Sequence, residues 1–181
     1  MAHEHQIQLQ ELLASHQSLP EDWAERARLF MDKGEYDLAE DCFRNAGLQW
    51  ECNIAHAFRL REDANTQHRW MYAAEAFKAC ADDPSGKISP KRNELILAAA
   101  RCYYRAREFY RSGELYGLAH DYGRSAEQFC NGHFMEDAHR VILLNRTQVS
   151  RRVFERVCLH FFSSRQVEYV SIHSSIPATH R

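Results

Sequence analysis

Glycine and proline are scarce in this chain, seven and four of 181 residues. An all-β domain needs a turn after every short strand, so their scarcity leans the reading towards helices. No C-x-x-C pair occurs: Cys42, Cys52, Cys80, Cys102, Cys130 and Cys158 stand singly among helix formers. That spacing spells neither a zinc ribbon nor a disulfide framework, and the thiols read as small apolar side chains in a reducing compartment. Long apolar runs are missing too. A stretch such as Ile96–Ala100 falls far short of the roughly 20 residues that span a bilayer, and the opening MAHEHQIQLQ has no apolar signal-peptide core. Positive charge is not in excess, the formal net charge being −2, so no global field draws in nucleic acid or an anionic membrane. Nor is there a G-x-x-x-x-G-K-S/T loop to cradle phosphates. What remains is a soluble, intracellular chain, cytoplasmic or nuclear, long enough to bury a core without metal or disulfide and carrying no cofactor site.

What is present is helical punctuation. Pro20, Glu21 and Asp22 place a proline and two acids in a first turn, and Trp23, Ala27 and Phe30 recur at helical spacing until Lys33-Gly34. The same periodicity predicts helices over 35–46, 48–64 and 67–81, from Ser89-Pro90 through Tyr103, and over 108–120, 122–131, 134–144 and 148–163. The fold class is therefore all-α, about eight or nine helices joined as antiparallel αα-hairpins. DDPSGKISP, at 82–90, concentrates turn formers and is the candidate break between two halves. Residues 1–19 form a weakly amphipathic extension, 20–163 the helical array, and 164–181 lose the helical period and read as an irregular tail.

One spacing repeats. Tyr36-x2-Ala39-x3-Phe43, closed by Ala46, returns as Trp70-x2-Ala73-x3-Phe77 and as Phe109-x2-Ser112-x3-Tyr116. Looser forms are Tyr122-x2-Ser125 with Ala126 and Phe129, and Phe134-x2-Asp137 with Ala138. Small residues allow two helices of a hairpin to approach closely, and the flanking aromatics fill the gap to the next hairpin. No hairpin buries its apolar face alone, so the pattern specifies a stack.

Trp23, Ala27, Phe30, Gly34, Tyr36, Ala39, Phe43 and Ala46 stand at the spacings W-x3-A-x2-F-x3-G-x-Y-x2-A-x3-F-x2-A, which resembles the tetratricopeptide repeat. The Trp70 and Phe109 units keep the second-helix pattern but depart from the regular period of about 34 residues, so the stack is TPR-like. More narrowly, the order DWAERARLFMDKGEYDLAEDCFRNAG, AFRLRED, WMYAAEAFKACA and AARCYYRAREFYRSGELYGLAHDYGRSAEQFCNGHFMEDA is similar to the helical region of the large fungal TPR-and-ankyrin-repeat proteins. That region accompanies a UvrD-type superfamily 1 helicase module in the family. The resemblance covers roughly residues 20 to 145 and implies an accessory array attached to an ATPase; with no phosphate loop here, it carries no nucleotide-hydrolysing activity onto these residues.

Constellations that could carry chemistry are weak. Cys130-x2-His133-x5-His139 lacks the paired start and fourth ligand of a structural zinc site and reads as a hairpin turn with exposed histidines. No cysteine or carboxylate stands in a catalytic context, and an enzyme is not expected. Arg101 and Arg105, interleaved with Tyr103, Tyr104, Phe109 and Tyr110, form the one segment with a nucleic-acid texture. The alternative, aromatics facing the core and arginines paired with Glu94, Glu108 and Glu114, is favoured. The expected function is a non-catalytic scaffold that binds a protein or peptide in a groove lined by polar positions such as Asn53, His56, Arg59, Arg101 and Arg105. Nucleic acid is the less favoured partner, reached as part of a helicase-associated assembly, and a membrane is excluded.

Overall fold

The first helix starts where proline belongs. Pro20 occupies the first helical position, where no N–H is needed, and the Asp22 carboxylate accepts the Leu19 N–H at 3.1 Å. In the computed structural model, which describes residues 19–174 and side chains to residue 163, ten α-helices follow one another. They are α1 (Pro20–Lys33), α2 (Tyr36–Asn45), α3 (Gln49–Glu62), α4 (Gln67–Asp82), α5 (Pro84–Ile88), α6 (Arg92–Arg105), α7 (Phe109–Leu118), α8 (Tyr122–Asn131), α9 (Met135–Leu144) and α10 (Arg151–Ser174). A single 3-10 turn at Arg146–Gln148 precedes α10. No strand occurs among the described residues, and no helix there is long and apolar enough to cross a membrane.

The tenth helix is α5, formed inside the turn-rich stretch. Asp83 caps it, its carboxylate accepting the Ser85 N–H at 2.8 Å, with Pro84 at the first position. Gly86 is buried, and a Cβ there would lie 1.9 Å from the Cys80 carbonyl oxygen, so α5 sits against the end of α4 only because position 86 has no side chain. The stretch does not divide the array. Cys80 and Ala81 before it share one apolar cluster with Leu95, Ile96 and Ala99 after it. At the other end, α10 runs past Ser163 to Ser174, through part of the sequence expected to be an irregular tail. Residues 1–18 and 175–181, with the expected N-terminal extension and the end of that tail, lie outside the described residues.

Five of the turns are copies of one another. Gly34, Gly47, Arg107, His120 and His133 take the left-handed conformation, with φ of 78°, 74°, 60°, 61° and 65°. In each, the following N–H reaches back to the carbonyl of an aromatic residue: Glu35 to Phe30 at 2.9 Å, Leu48 to Phe43 at 3.0 Å, Glu108 to Tyr103 at 2.9 Å, and Asp121 to Tyr116 and Phe134 to Phe129 at 2.8 Å each. The left-handed residue itself bonds three residues back, from 3.0 Å for Arg107 to 3.2 Å for His133. These are Schellman turns, satisfying the last carbonyls of one helix while reversing the chain into the next. Arg107, His120 and His133 stand thirteen residues apart, as do Gly34 and Gly47. The unit is thus one ten-residue helix plus one turn, repeated as α2, α7, α8 and α9.

Each helix packs on its neighbours in the chain, α4 meeting α6 directly. Ala27, Ala39, Ala73, Ala126 and Ala138 are completely buried where helices touch, and Ser112 is the sixth such position. Its hydroxyl donates to the Ala100 carbonyl at 2.8 Å, and Ser125, one unit later, donates to the Gly113 carbonyl at 2.7 Å. Both hydroxyls satisfy themselves on the preceding helix, which lets a polar side chain occupy the tightest contact. Trp23 and Phe43 belong to the first of three apolar clusters, Phe77 and Tyr116 to the central one, and Phe129 to the last. Phe30, Ala46 and Trp70 pack at the cluster edges, half-buried, as are Phe109 and Tyr122.

Candidate functional site: a groove across α1, α3 and α6

The array leaves one face of alternate helices partly uncovered. Arg28, Met31 and Asp32 of α1, Tyr36 and Phe43 of α2, Trp50, Glu51, Ile54 and Phe58 of α3, and Lys91, Glu94, Leu95 and Ala98 at the start of α6 surround a groove of about 490 Å³. Ser89 and Pro90 close one side. The floor is apolar and largely aromatic. It is also held in place: the Trp50 indole N–H donates to the Cys80 carbonyl at 3.0 Å, and the Tyr36 and Phe58 rings stack with centroids 5.2 Å apart. Phe58 in turn meets Phe77 edge to face at 5.0 Å, tying the floor to the central core. The rim carries the five charges Arg28, Asp32, Glu51, Lys91 and Glu94. Such a site offers shape, apolar contact and fixed charge, and contains no nucleophile or base poised on a partner.

None of the five polar residues expected to line a groove, Asn53, His56, Arg59, Arg101 and Arg105, lines this one. His56 and Arg59 turn instead towards α2. Glu40 Oε2 lies 3.2 Å from His56 Nδ1 and accepts from Arg59 Nε at 3.1 Å, Asp37 Oδ1 is 3.0 Å from the same Nε, and Arg44 reaches Glu40 Oε1 at 2.8 Å. Arg59 Nη2 also lies 2.9 Å from His56 Nδ1. Burial works to raise the Glu40 carboxyl, but the bonds and charges of His56 and Arg59 outweigh it and hold its pKa below the usual value. This is an inter-helix clasp. Asn53 accepts from Gln49 Nε2 at 2.9 Å on the exposed side of α3.

The arginine-rich segment is likewise engaged within the chain. Arg105 lies over the Trp70 ring at 5.9 Å, and Arg111 lies over Tyr103 at 5.6 Å while pairing with Glu75 at 2.9 Å. Arg101 is exposed beside Tyr116. The pairing expected with Glu94, Glu108 and Glu114 does not form among the described residues; the cations stack on aromatic faces instead. Tyr103 is buried, whereas Tyr104 and Tyr110, expected to face the core, are exposed at 45% and 39%.

Cys130 is buried, and His133 and His139 are exposed, His139 against Phe161 at 5.2 Å. Among the described residues no group of three or more His, Cys, Asp or Glu is placed to hold a metal ion. Burial pushes the thiols of Cys42, Cys80 and Cys102 up to about 11, which leaves them protonated and unreactive at neutral pH. The groove escaped the sequence reading because its floor residues, Trp50, Ile54 and Phe58, read as ordinary core positions. Their four-residue spacing marks one apolar face of α3, and the opening shows only once Cys52 and Ala55 on the other face are seen to pack with Ala39 and Cys42 of α2. Set against family models, curated proteins and solved structures, the chain matches none, so its reading rests on the chemistry of this groove.

Proposed function

We propose that the chain is a non-catalytic helical-repeat scaffold that holds a segment of a partner protein in the groove across α1, α3 and α6. The observation that carries this reading is the groove itself, about 490 Å³ with a pre-set aromatic floor and charged rim. A rigid apolar trough with a few polar groups at its edge is the form of a peptide-recognition site, since a pre-organised floor spares the ordering cost of binding. The setting implied by the resemblance, an accessory array of a larger helicase-bearing protein, belongs to the same proposal. Direct contact with nucleic acid is the weaker reading because Arg105 and Arg111 are stacked on the chain's own rings. The test is a screen of immobilised random short peptides with the purified chain, followed by amide-resonance mapping of the best binder. Shifts gathered on Met31, Trp50, Ile54 and Leu95 support the reading; shifts gathered on the Glu40–His56–Arg59 clasp, or no binder at all, overturn it.

A further inference from the structure

The rim charges differ in how they are balanced. Arg28 and Asp32 stand four residues apart on α1, and Lys91 and Glu94 three apart at the start of α6, so each cation has a carboxylate one helical turn away, although neither pair closes to an ion pair among the described residues. Glu51 has none. The positions one turn from it on α3 and the preceding turn are Gly47, Leu48, Ile54 and Ala55, all uncharged. Among the described residues its carboxylate has no ion-pair or hydrogen-bond partner, although it is half-buried beside Trp50 and Ile54 in the groove. Some carboxylates elsewhere are matched, Glu40 by Arg44 and Arg59, Glu75 by Arg111 and Glu155 by Arg151. Glu51 stands in the first turn of α3, where the helix N-terminus favours a carboxylate, and a bound cation would add the charge-assisted contact that no side chain supplies.

The rings around Glu51 favour the same guest. Tyr36, Phe43, Trp50 and Phe58 all line the groove, and a ring face attracts a cation within about 6 Å of its centroid. The chain already uses this contact internally, Arg61 lying 4.6 Å from the Phe58 centroid and Arg26 5.5 Å from Trp23.

We propose that the groove receives a lysine or arginine side chain of a partner protein, its aliphatic stem on the aromatic floor and its charge on Glu51. This rests on the scaffold reading and names the partner's chemistry.

The random-peptide screen decides it. The strongest binders are expected to carry Lys or Arg next to Leu, Ile or Phe, and acetyl-lysine or citrulline at that place is expected to weaken the best one about tenfold. The Glu51→Gln chain, its fold checked by circular dichroism, should bind the charged peptide about tenfold less tightly and the neutralised peptide as the native chain does. Glu51→Lys should reverse the preference towards a glutamate-bearing peptide. Binders that map to the groove without favouring a cation, or a cation preference that survives Glu51→Gln, overturn this inference and leave the scaffold reading standing. Binders that map elsewhere, or the absence of any binder, overturn both.

Discussion

Gly47 offers a clean measurement of what the repeated turn costs. Its φ is 74°, and no heavy atom lies within 4 Å of the place a Cβ would occupy, so Gly47→Ala changes backbone preference and nothing else. An L residue in the left-handed region is disfavoured by about 1–2 kcal/mol. Alanine also stiffens the unfolded chain, which returns about 0.4–1 kcal/mol. The net expectation is a loss of about 1 kcal/mol, or about 2–4 °C in Tm for a chain of this size. His133→Gly runs the same argument backwards at φ 65°. The side chain there is exposed and makes no hydrogen bond to a described residue, so replacing it should add up to about 1 kcal/mol. His120→Gly should fall near zero, because it also forfeits the 2.8 Å contact between His120 Nδ1 and the Tyr122 hydroxyl. Urea unfolding followed at 222 nm on the three variants gives the ranking. A Gly47→Ala chain as stable as the native one, or a His133→Gly chain less stable, refutes the claim that the five turns share one conformational requirement.

Other perturbations follow from the packing. Ala39→Arg forces a charged side chain into a fully buried helix contact and should abolish a cooperative thermal transition, whereas a folded, stable variant would place the α2 interface elsewhere. Gly86→Ala should cost about 1–3 kcal/mol for steric reasons, the new methyl meeting the Cys80 carbonyl; scanning calorimetry reads it. Ser112→Ala and Ser125→Ala should each cost about 1 kcal/mol, removing the buried bonds to the Ala100 and Gly113 carbonyls respectively, and the double variant tests their additivity in urea. Glu40 contributes acid-side stability. Its folded pKa is lowered, so the contribution is complete above the unfolded carboxylate pKa of about 4 and is lost as pH falls through the lower folded value. Glu40→Gln should therefore flatten the acid limb of a stability–pH curve, and an unchanged limb would exclude the clasp as its source.

Much of the helical order was legible because its determinants are local. Tyr122–Asn131 matches the expected span residue for residue, with Asp121 accepting the Arg124 N–H at 3.1 Å as an N-cap should. The turns after Phe30 and Phe43 announce themselves through glycine. Those after Tyr103, Tyr116 and Phe129 carry Arg or His at the left-handed position, and there only the aromatic four residues earlier marks the turn. DDPSGKISP has the composition of a break yet makes none, because the residues that make turns, Asp and Pro, also start helices, and Asp83-Pro84 does so. The groove was hidden for a different reason. Whether Trp50, Ile54 and Phe58 meet a neighbour or an opening depends on how α1 and α6 flank α3, which no local pattern encodes. His56 and Arg59 read as a free polar face for the same reason; their partners Asp37 and Glu40 lie on another helix.

The identical turns also set a grammar for chain length. Because each thirteen-residue unit reverses direction once, deleting one would turn every later helix end for end and present its apolar side to the wrong neighbour. Deleting two in succession restores direction and brings like surfaces together. An array punctuated in this way can lengthen or shorten by pairs of units while the groove formed by α1, α3 and α6 stays intact, so the groove and the length of the array can vary independently.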